Sequence, residues 1–221
     1  MTMVAALTTL VALVISLGLR RSFARVRPGF VDVVRQELGA APPRKWIVGG
    51  MMGAGKSTFA RSLAERIGVP HIEIDRYGLP PTGSTEGEVL EAIALAQDGW
   101  IAEANPWQIP TALAQAADVV VFLDYDNVVN YLRLLWRGCG RWRSQSPSWA
   151  GFKRFVVDES VLDLGRIVYR YGRTNRRDWR EAGLLKGIDR ASTIRLRCVS
   201  PAELRLVHDL VTHELDRNRD S

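Results

Sequence analysis

Apolar residues recur along this chain with two different periods. Short runs rich in Val, Ile, Leu, Ala and Trp stand at 46–48, 71–74, 100–103, 119–123 and 193–197, and read as buried strands. Between them, apolar positions recur every three to four residues at 57–67, 86–97, 108–116, 126–137, 153–171 and 202–215, the spacing of one helix face. Phe59, Leu63 and Ile67 show the pattern within the first of these. Strands that alternate with helices from Lys45 onward predict an α/β fold, a parallel sheet of five strands covered by helices on both faces.

The pattern changes before Lys45. Residues 3–19 carry no charge and are interrupted only by Thr8, Thr9, Ser16 and Gly18, a length at the short end of what crosses a bilayer. Arg20, Arg21, Arg25 and Arg27 follow at once, and positive charge flanking an apolar run stays on the cytoplasmic side. The expectation is a transmembrane or signal-anchor segment at 1–19 that leaves the rest of the chain cytoplasmic, anchored to the inner face of a membrane. A loosely attached helix, an over-long reading frame and a cleaved signal are the alternatives, the last lacking its leading charge and cleavage site. Residues Phe30–Leu38 have the spacing of a short amphipathic helix, and Ala40, Ala41, Pro42 and Pro43 read as a linker, because proline cannot continue a helix. Residues 20–44 are thus expected as a basic juxtamembrane helix and linker, and 45–221 as the main domain.

With 221 residues the chain has room for one such domain with a sizeable core. Its net charge of +6 is concentrated. Residues 20–45 hold seven basic residues against Asp32 and Glu37, and 127–157 hold six with no acid. Cys139 and Cys198, the only cysteines, form neither a zinc spacing nor a disulfide framework, so a reducing compartment is expected.

The sharpest chemical signal lies directly after the first strand. Residues 50–58 read G-M-M-G-A-G-K-S-T, which fits the Walker A pattern G-x-x-x-x-G-K-[ST] between a strand and a helix. Backbone N–H groups converge on phosphate oxygens only where the chain tolerates unusual torsions, which Gly50, Gly53 and Gly55 allow. Gly50, Met51, Met52, Gly53, Ala54, Gly55, Lys56, Ser57 and Thr58 are therefore the candidate ATP-binding residues. Lys56 would reach the β- and γ-phosphates, and the Ser57 hydroxyl would ligate Mg²⁺.

Ligands of open α/β sheets sit beyond the carboxyl ends of the strands, which singles out Asp75, Glu103, Asp124 and the segment 197–200. A kinase needs one carboxylate near Mg²⁺ and another to orient the acceptor hydroxyl. A polar residue also stands wherever a buried strand meets water, so each of these has a purely structural alternative.

From Trp46 to about Leu210 the chain resembles the small P-loop kinases of the adenylate kinase-like group, most closely the DNA topology modulation (FlaR-type) proteins. The resemblance is carried by I-V-G-G-M-M-G-A-G-K-S-T, I-D-R-Y at 74–77, W-I-A-E-A-N at 100–105, V-V-V-F-L-D at 119–124 and R-L-L-W-R at 133–137. It implies a three-layer P-loop fold with strand order 2-3-1-4-5 and phosphoryl transfer from Mg-ATP to a small acceptor, with a nucleotide monophosphate as first guess. Glu103 would then share Mg²⁺ with Ser57, Asn105 would take the polar position, and Asp75 would orient the acceptor. Ala104 stands where relatives carry glycine, which bears on how closely an acceptor approaches that backbone.

Arg133 and Arg137 lie four apart and share a helix face, and Gly138, Gly140, Pro147 and Gly151 after them suggest a lid at about 138–152. Y-G-R-T-N-R-R at 171–177 resembles the arginine-bearing segment that closes over phosphates in such kinases. Arg137, Arg173 and Arg176 join Lys56 and Asp75 as candidate catalytic residues, their cations matching the charge of a transferring phosphoryl group. Of seven tryptophans, Trp46 and Trp100 are expected in the core. Arginine interleaved with Trp136, Trp142 and Trp149 would also suit a nucleic-acid strand, so a nucleotide-gated regulatory or nucleic-acid-binding protein stands as the alternative to a kinase.

Overall fold

The computed structural model describes residues 22–39, 43–74, 98–105, 109, 111–126, 128–131, 133–134 and 193–219. The helices expected at 86–97 and 153–171 and the lid at 138–152 lie outside them, as does the apolar run at 3–19. Among the described residues no helix is long and apolar enough to cross a membrane.

Five strands form one sheet: β1 (Lys45–Gly50), β2 (His71–Glu73), β3 (Trp100–Ala104), β4 (Val119–Leu123) and β5 (Ile194–Cys198). All neighbours pair in parallel, in the order β2-β3-β1-β4-β5. The sheet is the one expected for a P-loop fold. Among the described residues four helices of six residues or more accompany it: α1 (Phe30–Leu38), α2 (Lys56–Ile67), α3 (Thr111–Ala116) and α4 (Pro201–Arg219). Residues 128–131, 133 and 134 are helical as well, within the span expected at 126–137.

Successive strand residues point to opposite faces, and both faces are apolar because both are covered. On one face Trp46, Val48, Ile101, Val119, Val121, Leu123, Leu196 and Cys198 join a cluster with Phe59 and Leu63 of α2 and Val207 and Val211 of α4. On the other, Ile47, Trp100, Ala102, Ala104 and Val120 pack with Leu113 and Ala114 of α3. Trp46 and Trp100 are core residues, as the pattern implied, with Trp46 Nε1 donating to the Pro43 carbonyl at 2.6 Å.

Helix α1 belongs to the first of these clusters. Its Phe30, Val34 and Leu38, one turn apart, are buried among residues of β5 and α4. Each such side chain contributes about 2 kcal/mol when fully removed from water. The segment read as juxtamembrane thus has its apolar stripe inside the fold.

Helix α4 opens on a Ser200 cap, with Glu203 accepting from the residue before that cap. Ser200 Oγ accepts from Glu203 N–H at 3.2 Å, while Glu203 Oε2 reaches back to Val199 N–H at 2.8 Å. Farther along, α4 meets α2 through Ser62 Oγ and His208 Nε2 at 2.9 Å, the edge-on contact of Phe59 with His208, and the Arg66–Asp216 ion pair.

Candidate functional site

The parallel order brings the carboxyl ends of the strands to one edge. Gly50 stands opposite Leu123, and Leu123 opposite Cys198, so the segments leaving β1, β4 and β5 start from one row. The glycine-rich loop leaves β1 from this row and runs directly into α2.

Within that loop Gly53 and Gly55 are left-handed, at φ 81° and 94°, and Ala54 N–H donates to the Met51 carbonyl at 3.1 Å. Gly55 is the N-cap of α2, no side chain caps the helix there, and its first turn holds no acid. The positive end of the helix dipole is therefore uncompensated by side-chain charge, which favours an anion at this position. Met51 and Ala54 are buried, Met52, Gly53 and Gly55 half-buried, and Ser57 and Thr58 exposed.

Lys56 is buried although it carries a charge, which requires polar partners. Its ammonium donates to the Met51 carbonyl and to Asn105 Oδ1, each at 3.3 Å. Asn105 follows β3, so the loop lysine and the polar residue after the third strand, 49 positions apart in sequence, are brought together.

Glu103 is buried on β3, opposite Val48 of β1 and Glu73 of β2. Its Oε1 lies 3.5 Å from His71 Nε2, and His71 Nδ1 lies 3.8 Å from Glu73 Oε1. Arg61 of α2 closes the chain of charges by pairing with Glu73 at 3.0 Å. Ligand atoms of His71, Glu73 and Glu103 lie within 4.8 Å of one another, so this group has donors able to hold a cation. His71 and Glu73 had no role in the sequence reading. Their signal was present, since residues two apart on a strand share a face.

Two further residues meet the loop from the helical segment after β4. A Cβ placed on Gly53 would lie 2.7 Å from the Asn130 carbonyl oxygen, and one on Gly55 2.8 Å from Arg133 Nη2. Gly53 is thus required by contact as well as by torsion, whereas at Gly55 the torsion decides, because the Arg133 side chain can move aside. Asn130 is fully buried, and its amide oxygen and nitrogen make no hydrogen bond among the described residues. Asp126 starts this segment, accepting from Val128 N–H at 2.9 Å. Arg133, a face-mate of Arg137 in the sequence, is the arginine placed at the loop.

Asp124 is not an isolated carboxylate. Arg197 Nε donates to its Oδ2 at 2.8 Å, and Asp124 N–H donates to the Cys198 carbonyl at 2.8 Å, joining the ends of β4 and β5. Behind this pair, burial pushes the Tyr125 hydroxyl far above its usual range, an effect that nearby Cys198 and Glu203 reinforce and Arg133 opposes. Burial pushes the Cys198 thiol up in the same way, reinforced by Glu203 and opposed by Arg27. Both stay neutral, and Cys198 is a packing residue. Asp75, Arg137, Arg173 and Arg176 lie outside the described residues.

No family model matches the chain, and no curated protein matches it. Among solved structures it is similar to a shikimate kinase from Bacteroides thetaiotaomicron, at 16% identity and TM-score 0.45 over 80% of this chain and 99% of that one. It is also similar to a gluconokinase from Sinorhizobium meliloti 1021, at 16% identity and TM-score 0.40 over 80% and 94%. An uncharacterized protein from Eubacterium ventriosum aligns at 12% identity and TM-score 0.46 over 78% and 98%. At these values the likeness carries no weight for what this chain does.

Proposed function

We propose that this chain is a P-loop kinase that transfers a phosphoryl group from Mg-ATP to a small acceptor. The observation that carries the reading is the buried Lys56 ammonium. It sits at the uncapped start of α2, on a loop with left-handed Gly53 and Gly55, and is held by Met51 and Asn105. The residues present fit a nucleotide polyphosphate: backbone N–H groups, one cation within the loop, and a helix end without acid.

In this reading ATP brings the group to be transferred, and the chain's own residues position it. Residues 50–58 hold the phosphates, with Lys56 neutralising charge on the outer two. Ser57 and Glu103 hold Mg²⁺, directly or through water, with His71 setting the orientation of the Glu103 carboxylate. Asp75 orients the acceptor hydroxyl, and Arg137, Arg173 and Arg176 offset the charge of the transferring group. The acceptor class, with a nucleotide monophosphate first, and the likeness to topology modulation proteins rest on sequence motifs. So does a cytoplasmic location at the inner face of a membrane.

An ADP-release screen over nucleotide monophosphates and small alcohols tests the reading. Some acceptor should raise ADP production well above basal hydrolysis and become phosphorylated itself, and Lys56→Ala should lower turnover roughly a hundredfold or more, the scale of losing one group that stabilises developing charge. Unchanged ATP affinity and turnover in folded Lys56→Ala would sink it. Salt-sensitive binding to DNA or RNA, with no acceptor found, would favour the nucleotide-gated regulatory reading instead.

A further inference from the structure

The segment before β1 is tied to the turn that follows β5, and the tie converges on one buried carboxylate. Glu203 has no solvent exposure, and its two oxygens take donors from two parts of the chain. Oε1 accepts from the backbone N–H and the Nε of Arg27, each at 2.9 Å. Oε2 accepts from Arg27 Nη2 at 3.1 Å and from Val199 N–H at 2.8 Å. The same Arg27 Nη2 donates to the Arg197 carbonyl, and Ser200 Oγ donates to the Arg25 carbonyl. Arg27 is itself held over the Phe30 ring, with Cζ 5.0 Å from the centroid, and Phe30 opens the buried stripe of α1.

The 199–203 turn leaves β5 at the same row of strand ends from which the glycine-rich loop leaves β1. Cys198 shares the row of Leu123 and Gly50, so the turn starts two strands, or roughly 10 Å, from the start of the phosphate loop. A nucleotide whose phosphates lie on that loop, and whose nucleoside runs across the ends of β4 and β5, meets residues 199–201. On its β4 side the turn is held by Asp124, whose N–H and carboxylate engage Cys198 and Arg197. On its other side it is held by residues 25–27.

From this geometry we infer that Arg27 is a positioning residue for nucleotide binding. Through Glu203 it fixes the 199–203 turn in the shape that borders the nucleoside, so the segment 25–39 and the nucleotide site are energetically coupled. The inference rests on the kinase reading for the presence of a nucleotide. Coupling of this kind is reciprocal: if the clamp favours nucleotide, nucleotide stabilises the clamp by the same factor.

The test uses the full chain and Mg-ADP as probe. Arg27→Ala should weaken Mg-ADP binding about tenfold, and Arg27→Lys, which keeps the cation but loses the forked donors, should lie between it and wild type. In wild type, saturating Mg-ADP should slow hydrogen exchange at the Arg27 amide, which donates to Glu203. A merely structural role would lower the denaturation midpoint and leave the affinity of the folded protein unchanged, and that result overturns the inference. Should Arg27→Ala fail to fold, the lysine variant and the wild-type exchange measurement decide: wild-type affinity in Arg27→Lys together with an Arg27 amide indifferent to Mg-ADP overturns it. If wild type binds no nucleotide, the kinase reading and this inference fall together. If it binds in a Lys56-dependent manner while the Arg27 variants match it, only this inference falls.

Discussion

Gly53 and Gly68 share a left-handed backbone, at φ 81° and 75°, but differ in their surroundings. A Cβ on Gly68, which ends α2, would meet nothing within 4 Å, whereas one on Gly53 would strike the Asn130 carbonyl and the Leu134 side chain. Gly68→Ala should therefore cost only the torsional term, about 1 kcal/mol, and lower Tm by about 2–4 °C without changing nucleotide affinity. Gly53→Ala should cost more and weaken nucleotide binding as well; thermal melts beside ATP titrations of both variants separate the two effects. Cys198 gives a pH prediction. Its thiol, ordinarily near 9.0, is held protonated by burial, so above about pH 9 the unfolded chain releases a proton that the folded chain retains. The unfolded state then binds fewer protons, and stability falls as pH rises, by about 1.4 kcal/mol per pH unit for this group. Melts between about pH 8 and pH 10.5 should show this slope, reduced in Cys198→Ala.

At the scale of elements, α1 matters most for how the protein is handled. The chain beginning at Ser22 keeps Arg27 and the buried Phe30, Val34 and Leu38, while one beginning at Pro42 loses all four and leaves Glu203 buried without its cation. Losing three apolar side chains at about 2 kcal/mol each, with an unpaired buried carboxylate at about 3–5 kcal/mol, approaches the whole stability of a typical domain. Denaturant titration should show wild-type stability for the Ser22 chain and little cooperative unfolding for the Pro42 chain; equal midpoints would contradict the packing of α1. The helix itself was legible from its four-residue apolar spacing and the following glycine. Its partner was not, because an amphipathic stripe specifies that one face is buried and leaves open what buries it.

For the whole molecule, the parallel order gathers the loop lysine, Glu103, Asn105, Asp124 and the 199–203 turn at one end of the sheet. The 199–203 turn at that end is bonded to Arg25 and Arg27, three and five positions after Ser22, and α1 packs on the same sheet face as α2 and α4. An anchored form would hold this end of the sheet near the membrane through a folded element. Cell fractionation should place the full chain with membranes and the chain beginning at Ser22 in the soluble fraction. Native protein found soluble, with its first residue mapped downstream of Leu19, would remove the anchor.

Local spacing determined much of this protein. Continuous apolar runs marked β1, β3 and β4, three-to-four spacing set α2 and α4, and G-x-x-x-x-G-K-[ST] marked the loop between a strand and a helix, because backbone geometry is fixed by near neighbours. Strand order 2-3-1-4-5 came from likeness to a family, and the sheet has that order. Only the tertiary structure decided the partners. Asp124 reads as a candidate site carboxylate, yet it pairs with Arg197 across 73 positions; Glu203, which had no role in the sequence reading, holds Arg27 across 176. His71 and Glu103 meet across a strand pair, and Asn130 and Arg133 reach the loop from a helix beyond β4. Such contacts are set by which elements the packed sheet brings together, and a polar residue's own sequence neighbours carry almost no information about that.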